Sequence, residues 1–185
     1  DVAEYYRRAR SRGRREARSD IARGAYPYLP ALESMADDVP TMHEVPLGTM
    51  EIPLYLVIGT RTRGRQNVFS RSFMPLADAG SEFADKWETL CDSQVAEGIR
   101  EPIRVYEYLQ HFYVLEGNKR VSVSKFLDMP TIRAEVTRLL PHPSHNPSYR
   151  LYQEFLDFWR VCPLYGINFT REGSYALLAR ELGHT

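Results

Sequence analysis

The chain has 185 residues, room for one domain with appendages, and at that size folding buries roughly 70% of the unfolded surface. Its 24 Lys and Arg balance 24 Asp and Glu, so overall charge gives no argument for a nucleic-acid partner. No apolar run reaches bilayer length, no signal peptide is visible, and Cys91 and Cys162 lie far apart without a Cys-x-x-Cys, so neither a membrane protein, a disulfide framework nor a zinc site is suggested and a cytoplasmic protein is the default.

The charge is unevenly spread. Residues 1–24 hold eight Arg against four acids, and residues 61–71 hold four Arg and no acid. Asp1 and Glu4 fit a helix cap with its reciprocal acid, and Val2 to Arg23 reads as a helix ended by Gly24 and Pro27. A thin apolar stripe (Val2, Tyr5, Tyr6, Ala9, Ala17, Ile21) predicts a helix lying across the domain on its two tyrosines. Its Arg face is then either solvated or a contact for a phosphate backbone or another chain, which leaves nucleic acid and oligomer partners open.

Pro27, Pro30, Pro40 and Pro46 predict a wrapped linker over residues 24–50, with one helical turn around Ala31 to Ala36. Met50 to Gly59 reads as a mostly buried strand, and Pro53 puts part of it at a sheet edge or beside a bulge. Arg61, Arg63, Arg65 and Arg71 follow, alternating with hydroxyl residues beside Gly64. That composition suits phosphate, whose oxygens a guanidinium meets in pairs, and it equally suits an exposed basic loop.

Ser81 to Glu97 is the clearest helix, capped by Ser81 and stopped by Gly98. Phe83, Trp87, Leu90, Cys91 and Val95 form its predicted buried stripe, and Lys86, Thr89 and Ser93 line up along another side. Strands are predicted near 103–109 and 112–116 around a tight turn at Gln110-His111, then a helix near 119–128 and a strand near 132–138. The passage from strand through Gly117 into helix aims the free N–H groups of the helix start at one spot. Lys119 and Arg120 stand in that first turn, where the dipole disfavours cations, and a bound phosphate supplies a reason for them. Glu116 is a candidate Mg²⁺ ligand or base, or else an ion-pair partner for Lys119 or Arg120.

Residues 141–147 read as a linker whose His142 and His145 lack a third metal ligand. Tyr149 to Val161 is a strongly apolar helix, and a final helix over residues 170–182 is expected to be capped by Thr170. No internal repeat and no helix-turn-helix is visible.

The order Gly98-Ile-x-x-Pro102-Ile-x-Val105, hairpin, Gly117-x-x-Arg120 helix, Ile132-x-Ala-x-Val136 strand resembles the ParB/sulfiredoxin superfamily over roughly residues 50–140. The resemblance implies an α+β fold, a small mixed sheet with packed helices, flanked by an N-terminal basic helix and linker (1–49) and a C-terminal helical extension (141–185). In sulfiredoxins a Lys followed three and seven residues later by hydroxyl residues holds nucleotide phosphates, which implies that role for Lys86, Thr89 and Ser93. The superfamily likewise implies that one or two of Arg61, Arg63, Arg65 and Arg71 approach the phosphates. Sulfiredoxins carry a reactive cysteine where this chain has Asn118, so sulfinic-acid repair is not expected. ParB partition proteins bind cytidine triphosphate with an acid and paired arginines there, and Asn118-Lys119 departs from that pattern too.

The expectation is a bacterial regulatory or DNA-associated protein that binds a nucleoside di- or triphosphate with Mg²⁺, or another phosphorylated ligand, through Gly117, Asn118, Lys119 and Arg120. The alternatives are a metal-dependent phosphotransferase or ParB-like nuclease using Glu116, and a non-catalytic interaction module built on the Arg-rich first helix.

Overall fold

The structure, a computed structural model, describes residues 1–163 and 173–182, without the side chains of Arg65 and Gln66. The predicted cap at Thr170 lies outside the described residues. Helix α1 (Val2–Ala22) leads through a short turn of helix, α2 (Leu32–Met35), to strand β1 (His43–Pro53). Strand β2 (Val57–Thr60), helix α3 (Glu82–Ala96), and strands β3 (Ile103–Tyr108) and β4 (His111–Glu116) follow. Helix α4 (Asn118–Phe126), strand β5 (Thr131–Leu140), and helices α5 (Pro147–Val161) and α6 (Ser174–Glu181) complete the described chain.

The fold is α+β, with one five-stranded sheet in the order β1-β5-β3-β4-β2. β1 runs antiparallel to β5, β5 parallel to β3, β3 antiparallel to β4, and β4 parallel to β2. The single strand predicted over Met50 to Gly59 is two strands separated by a 3-10 turn at Leu54–Leu56, and they sit at opposite edges. Moreover, β1 begins at His43, inside the stretch read as linker. An edge strand tolerates Pro46, whose missing N–H faces no partner, and Gly48 at φ 81° absorbs a bulge beside it.

The alternation of β3 puts Ile103, Val105 and Glu107 on one face with Ala134, Val136, Phe112 and Val114. Helix α5 covers that face with Tyr152, Phe155 and Phe158. A buried charge crosses the layer: Glu107, wholly enclosed, accepts from Arg138 Nε at 2.8 Å and from the Tyr152 hydroxyl at 2.7 Å. The parallel register sets Arg138 beside Glu107, and the guanidinium lies 4.8 Å from the Trp159 ring centre. Tyr113 and Leu139, on the other face, pack with Leu32, Val39 and Met42 of the proline-rich segment.

A second core joins α1 and α3 through Tyr6, Ala9, Ala84, Trp87 and Cys91. The Tyr6 hydroxyl donates to the Ala77 carbonyl at 2.6 Å, which anchors α1 on its tyrosine as the apolar stripe predicts. Two expected core positions are solvent-facing instead: Ile21 is 59% and Val95 60% exposed. At the end of α1 the inward position belongs to Asp20, and in the last turn of α3 it is Gln94 rather than Val95 that meets a neighbour, Met129, at 3.1 Å.

Candidate functional site

β4 ends at Glu116, and Gly117 turns the chain into α4 with φ 115° and ψ 24°. Only glycine fits there on two counts: the left-handed backbone, and a Cβ that would fall 2.4 Å from Ile103 Cγ2. Among the described residues no side chain caps α4, and its first internal bond is Val121 N–H to Gly117 O at 3.0 Å. The positive end of the helix dipole is therefore open to an anion. Helix α3 is locked against α4 by a buried bond from Trp87 Nε1 to Ser122 Oγ at 2.9 Å.

Between the start of α4 and the first turns of α3 lies a cleft of about 620 Å³. Val68, Phe69, Phe83 and Leu90 form its apolar walls, with the Phe69 and Phe83 rings edge to face at 5.3 Å. Gly117, Asn118, Lys119 and Arg120 line it together with Lys86 and Thr89. Two carboxylates, Glu82 and Asp85, line it as well. Ser93, the third member of the α3 trio, is exposed further along the helix and does not line the cleft.

The lining side chains differ in how free they are to meet a ligand. Lys86 is 58% exposed and holds Glu82 at 2.8 Å, a surface pair that a stronger anion can displace. The Lys119 ammonium sits 5.1 Å from the Phe83 ring centre. Thr89 gives its hydroxyl proton to the Asp85 carbonyl at 2.9 Å, so its oxygen is left as an acceptor. Arg120 Nη1 donates to the carbonyls of Glu101 and Pro102 at 3.1 and 3.2 Å, tying the loop before β3 to the helix start. Asn118 Nδ2 reaches Thr60 Oγ1 at 3.5 Å, a weak bond, while Thr60 donates to Val114 O at 3.0 Å. Thr60 must therefore accept from Asn118, which leaves the buried Asn118 Oδ1 without a partner among the described residues.

Several expected participants lie elsewhere. Glu116 is exposed and pairs at 3.5 Å with Arg104 on the neighbouring strand, not with Lys119 or Arg120, and it does not line the cleft. Arg61 stacks 5.3 Å from the Tyr106 ring centre with Glu33 at 4.0 Å, and its Nε is buried without a partner among the described residues. Arg63 donates from its backbone to Glu33 and from Nε to Ser34 Oγ at 2.8 Å. Arg71 binds Asp20 at 3.0 Å. Asp20 is buried, and its hydrogen bonds from Arg71 and then Arg23 hold its carboxyl below the ordinary aspartate range. None of these three arginines lines the cleft, and the Arg65 side chain is outside the described set. Among the described residues no cluster of three or more His, Cys, Asp or Glu is arranged to hold a metal ion.

Sequence reasoning did not single out Glu82, Asp85, Val68 or Phe69. The two acids carried a signal, since both stand just ahead of Lys86 on one helix. The two apolar residues carried none, because a loop has no periodicity to read.

No protein-family model and no curated protein matches the sequence. The chain is similar in structure to sulfiredoxin from Arabidopsis thaliana, at 25% sequence identity over 48% of this chain and 82% of that one, with a TM-score of 0.34. No helix among the described residues is long and apolar enough to cross a membrane.

Proposed function

We propose that the chain is a nucleotide-phosphate-binding domain of ParB/sulfiredoxin type, and that the cleft between α3 and α4 takes a nucleoside di- or triphosphate or a similar phosphorylated ligand. The observation that carries this reading is convergence: a helix start that no described side chain caps, Lys86, Lys119 and Arg120 border one cavity whose remaining lining is largely apolar and aromatic. A phosphate meets the helix N–H groups and the lysines, and a flat base finds Phe83, Phe69 and Val68. Three cations against two carboxylates leave the cleft mildly positive. A Mg²⁺ ion enters this reading as a companion of the phosphates, with Glu82 and Asp85 as the nearby oxygen ligands.

Binding that informs a regulatory protein is favoured over turnover, because Glu116, the carboxylate singled out for catalysis, pairs with Arg104 away from the cleft. The experiment is a thermal-shift screen with adenine, cytidine and guanine nucleotides, each with and without Mg²⁺. A nucleotide held at 100 times its dissociation constant stabilises the fold by about 2.7 kcal/mol. Melting temperatures unmoved by every nucleotide at millimolar concentration would remove the proposal.

A further inference from the structure

We propose that the outer face of α1 is a binding surface for the phosphodiester backbone of nucleic acid, separate from the cleft. The helix carries eight basic residues with its adjoining turn, all Arg and none Lys. Folding sorts its charges. Glu4 is spent on Arg7, Glu16 accepts from the backbone N–H and hydroxyl of Ser72, and Asp20 holds Arg71 and Arg23. Arg10 reaches Asp78 at 2.7 Å. Among the described residues no carboxylate pairs with Arg8, Arg12, Arg14, Arg15 or Arg18. Arg12, Arg14, Arg15 and Arg18 are exposed, and Arg8 is exposed with its guanidinium 5.9 Å from the Phe126 ring centre. The carboxylate lining the groove beside Arg8, Arg12 and Arg15 is Asp128.

This pattern differs from a merely solvated face, where opposite charges alternate and pair at one-turn spacing. Here Arg8–Arg12 and Arg14–Arg18 are like-charge pairs four residues apart, a spacing that disfavours the helix unless an anion is present. From Arg8 to Arg18 the helix rises about 15 Å, so five guanidinium groups fall one per about 4 Å. A nucleic-acid strand carries one phosphate per about 3.4 Å of axis, a close match in charge density. Guanidinium groups in place of ammonium groups favour phosphate, which they grip with two N–H donors. An anionic membrane fits less well. An interfacial helix needs a free apolar face, and the apolar face of α1 is buried against α3 through Tyr6 and Ala9.

The test is fluorescence anisotropy of the full chain with a labelled mixed-sequence DNA duplex and a labelled RNA single strand over a salt series. Five phosphate contacts on duplex DNA predict a slope near −4.5 in log K against log salt, so binding weakens roughly 500-fold from 50 to 200 mM salt. The variant carrying Arg12→Gln, Arg14→Gln, Arg15→Gln and Arg18→Gln is expected to lose most of that slope. The matching four-Lys variant should keep the slope. Circular-dichroism melting temperatures no lower than the parent's check that the fold survives, since these positions are exposed and the Gln variant relieves like-charge pairs. Three results overturn the proposal: no binding to either nucleic acid at 50 mM salt, an unchanged slope in the Gln variant, or binding only to phosphatidylserine vesicles. A Lys86→Ala, Lys119→Ala variant run alongside should bind DNA as the parent does, which keeps this surface distinguishable from the cleft.

Discussion

Two sets of basic residues in this molecule have the same chemistry and opposite fates. Arg61, Arg71 and Arg138 are drawn onto Glu33, Asp20 and Glu107 or onto aromatic rings, Arg63 donates from its guanidinium to Ser34, and all four hold segments of the chain together. Lys86 and Lys119 stand at the mouth of a cleft beside an uncapped helix, with no buried carboxylate against them in the cleft lining. Folding thus gives Arg71 and Arg138 a buried acid from a distant part of the chain, whereas Lys86 pairs only with the exposed Glu82 of its own helix. Arg120 lies between the two classes, lining the cleft while one nitrogen ties down the loop at Glu101 and Pro102.

The contrast is sharpest at Glu107. Replacing it with Ala leaves Arg138, with only 7% of its side chain exposed, charged and without its carboxylate. Such a break costs about 3–5 kcal/mol, and Tyr152 and the Gln110 N–H lose their acceptor as well. Chemical denaturation should register that loss while nucleotide affinity, extrapolated to the folded protein, stays put. A Glu107→Ala protein of parental stability would mean that the buried pair is not architectural.

Asp20 gives a pH-dependent version of the same break. Its folded-state pKa lies below the unfolded one, because of Arg71 first and Arg23 second. The stability it confers is therefore intact above the unfolded aspartate value, near pH 4, and is lost as pH falls below that. Asp20→Asn should lower the melting temperature at neutral pH and flatten its decline between about pH 5 and 2, as scanning calorimetry can read. Parallel curves for the two proteins would show that the carboxylate does not feel its arginines.

Arg63 marks the small end of the scale. Its guanidinium partner Ser34 is exposed and its bond to Glu33 comes from the backbone, so Arg63→Ala should cost no more than about 1 kcal/mol and leave ligand binding unchanged. A selective loss of nucleotide affinity in that variant would put the arginine loop into the site and erase the distinction between the two sets.

Why the sequence separates some of this and not the rest follows from the range of the interactions. β3, β4, β5, α3 and the start of α4 were legible because period-2 and period-3.6 patterns, Ser81 and Gly117 are local signals. The division of Met50 to Gly59 between two sheet edges was not, since a 3-10 turn at Leu54–Leu56 leaves an apolar run unbroken in sequence. Lys86 and Thr89 beside Gly117 could be anticipated from helix spacing together with a family resemblance. The fate of the arginines could not. Asp20 and Arg71 are 51 residues apart, Glu107 and Arg138 31 apart, and no local pattern links either pair. Nor could the bonds of Arg120 to the loop before β3, whose carbonyls lie 18 and 19 residues earlier in the chain.

Lys119 offers the most direct test of the central claim, being in the first turn of α4 and lining the cleft without the loop-tying bonds of Arg120. Isothermal titration calorimetry of the parent and of Lys119→Ala, with the nucleotide that gives the largest thermal shift and with Mg²⁺ present, compares the two affinities. Loss of one hydrogen bond to a charged phosphate is worth about 1.5–3 kcal/mol, so the variant should bind about 10- to 150-fold more weakly. Equal affinity in parent and variant would contradict the claim that the start of α4 is where this protein holds a phosphate.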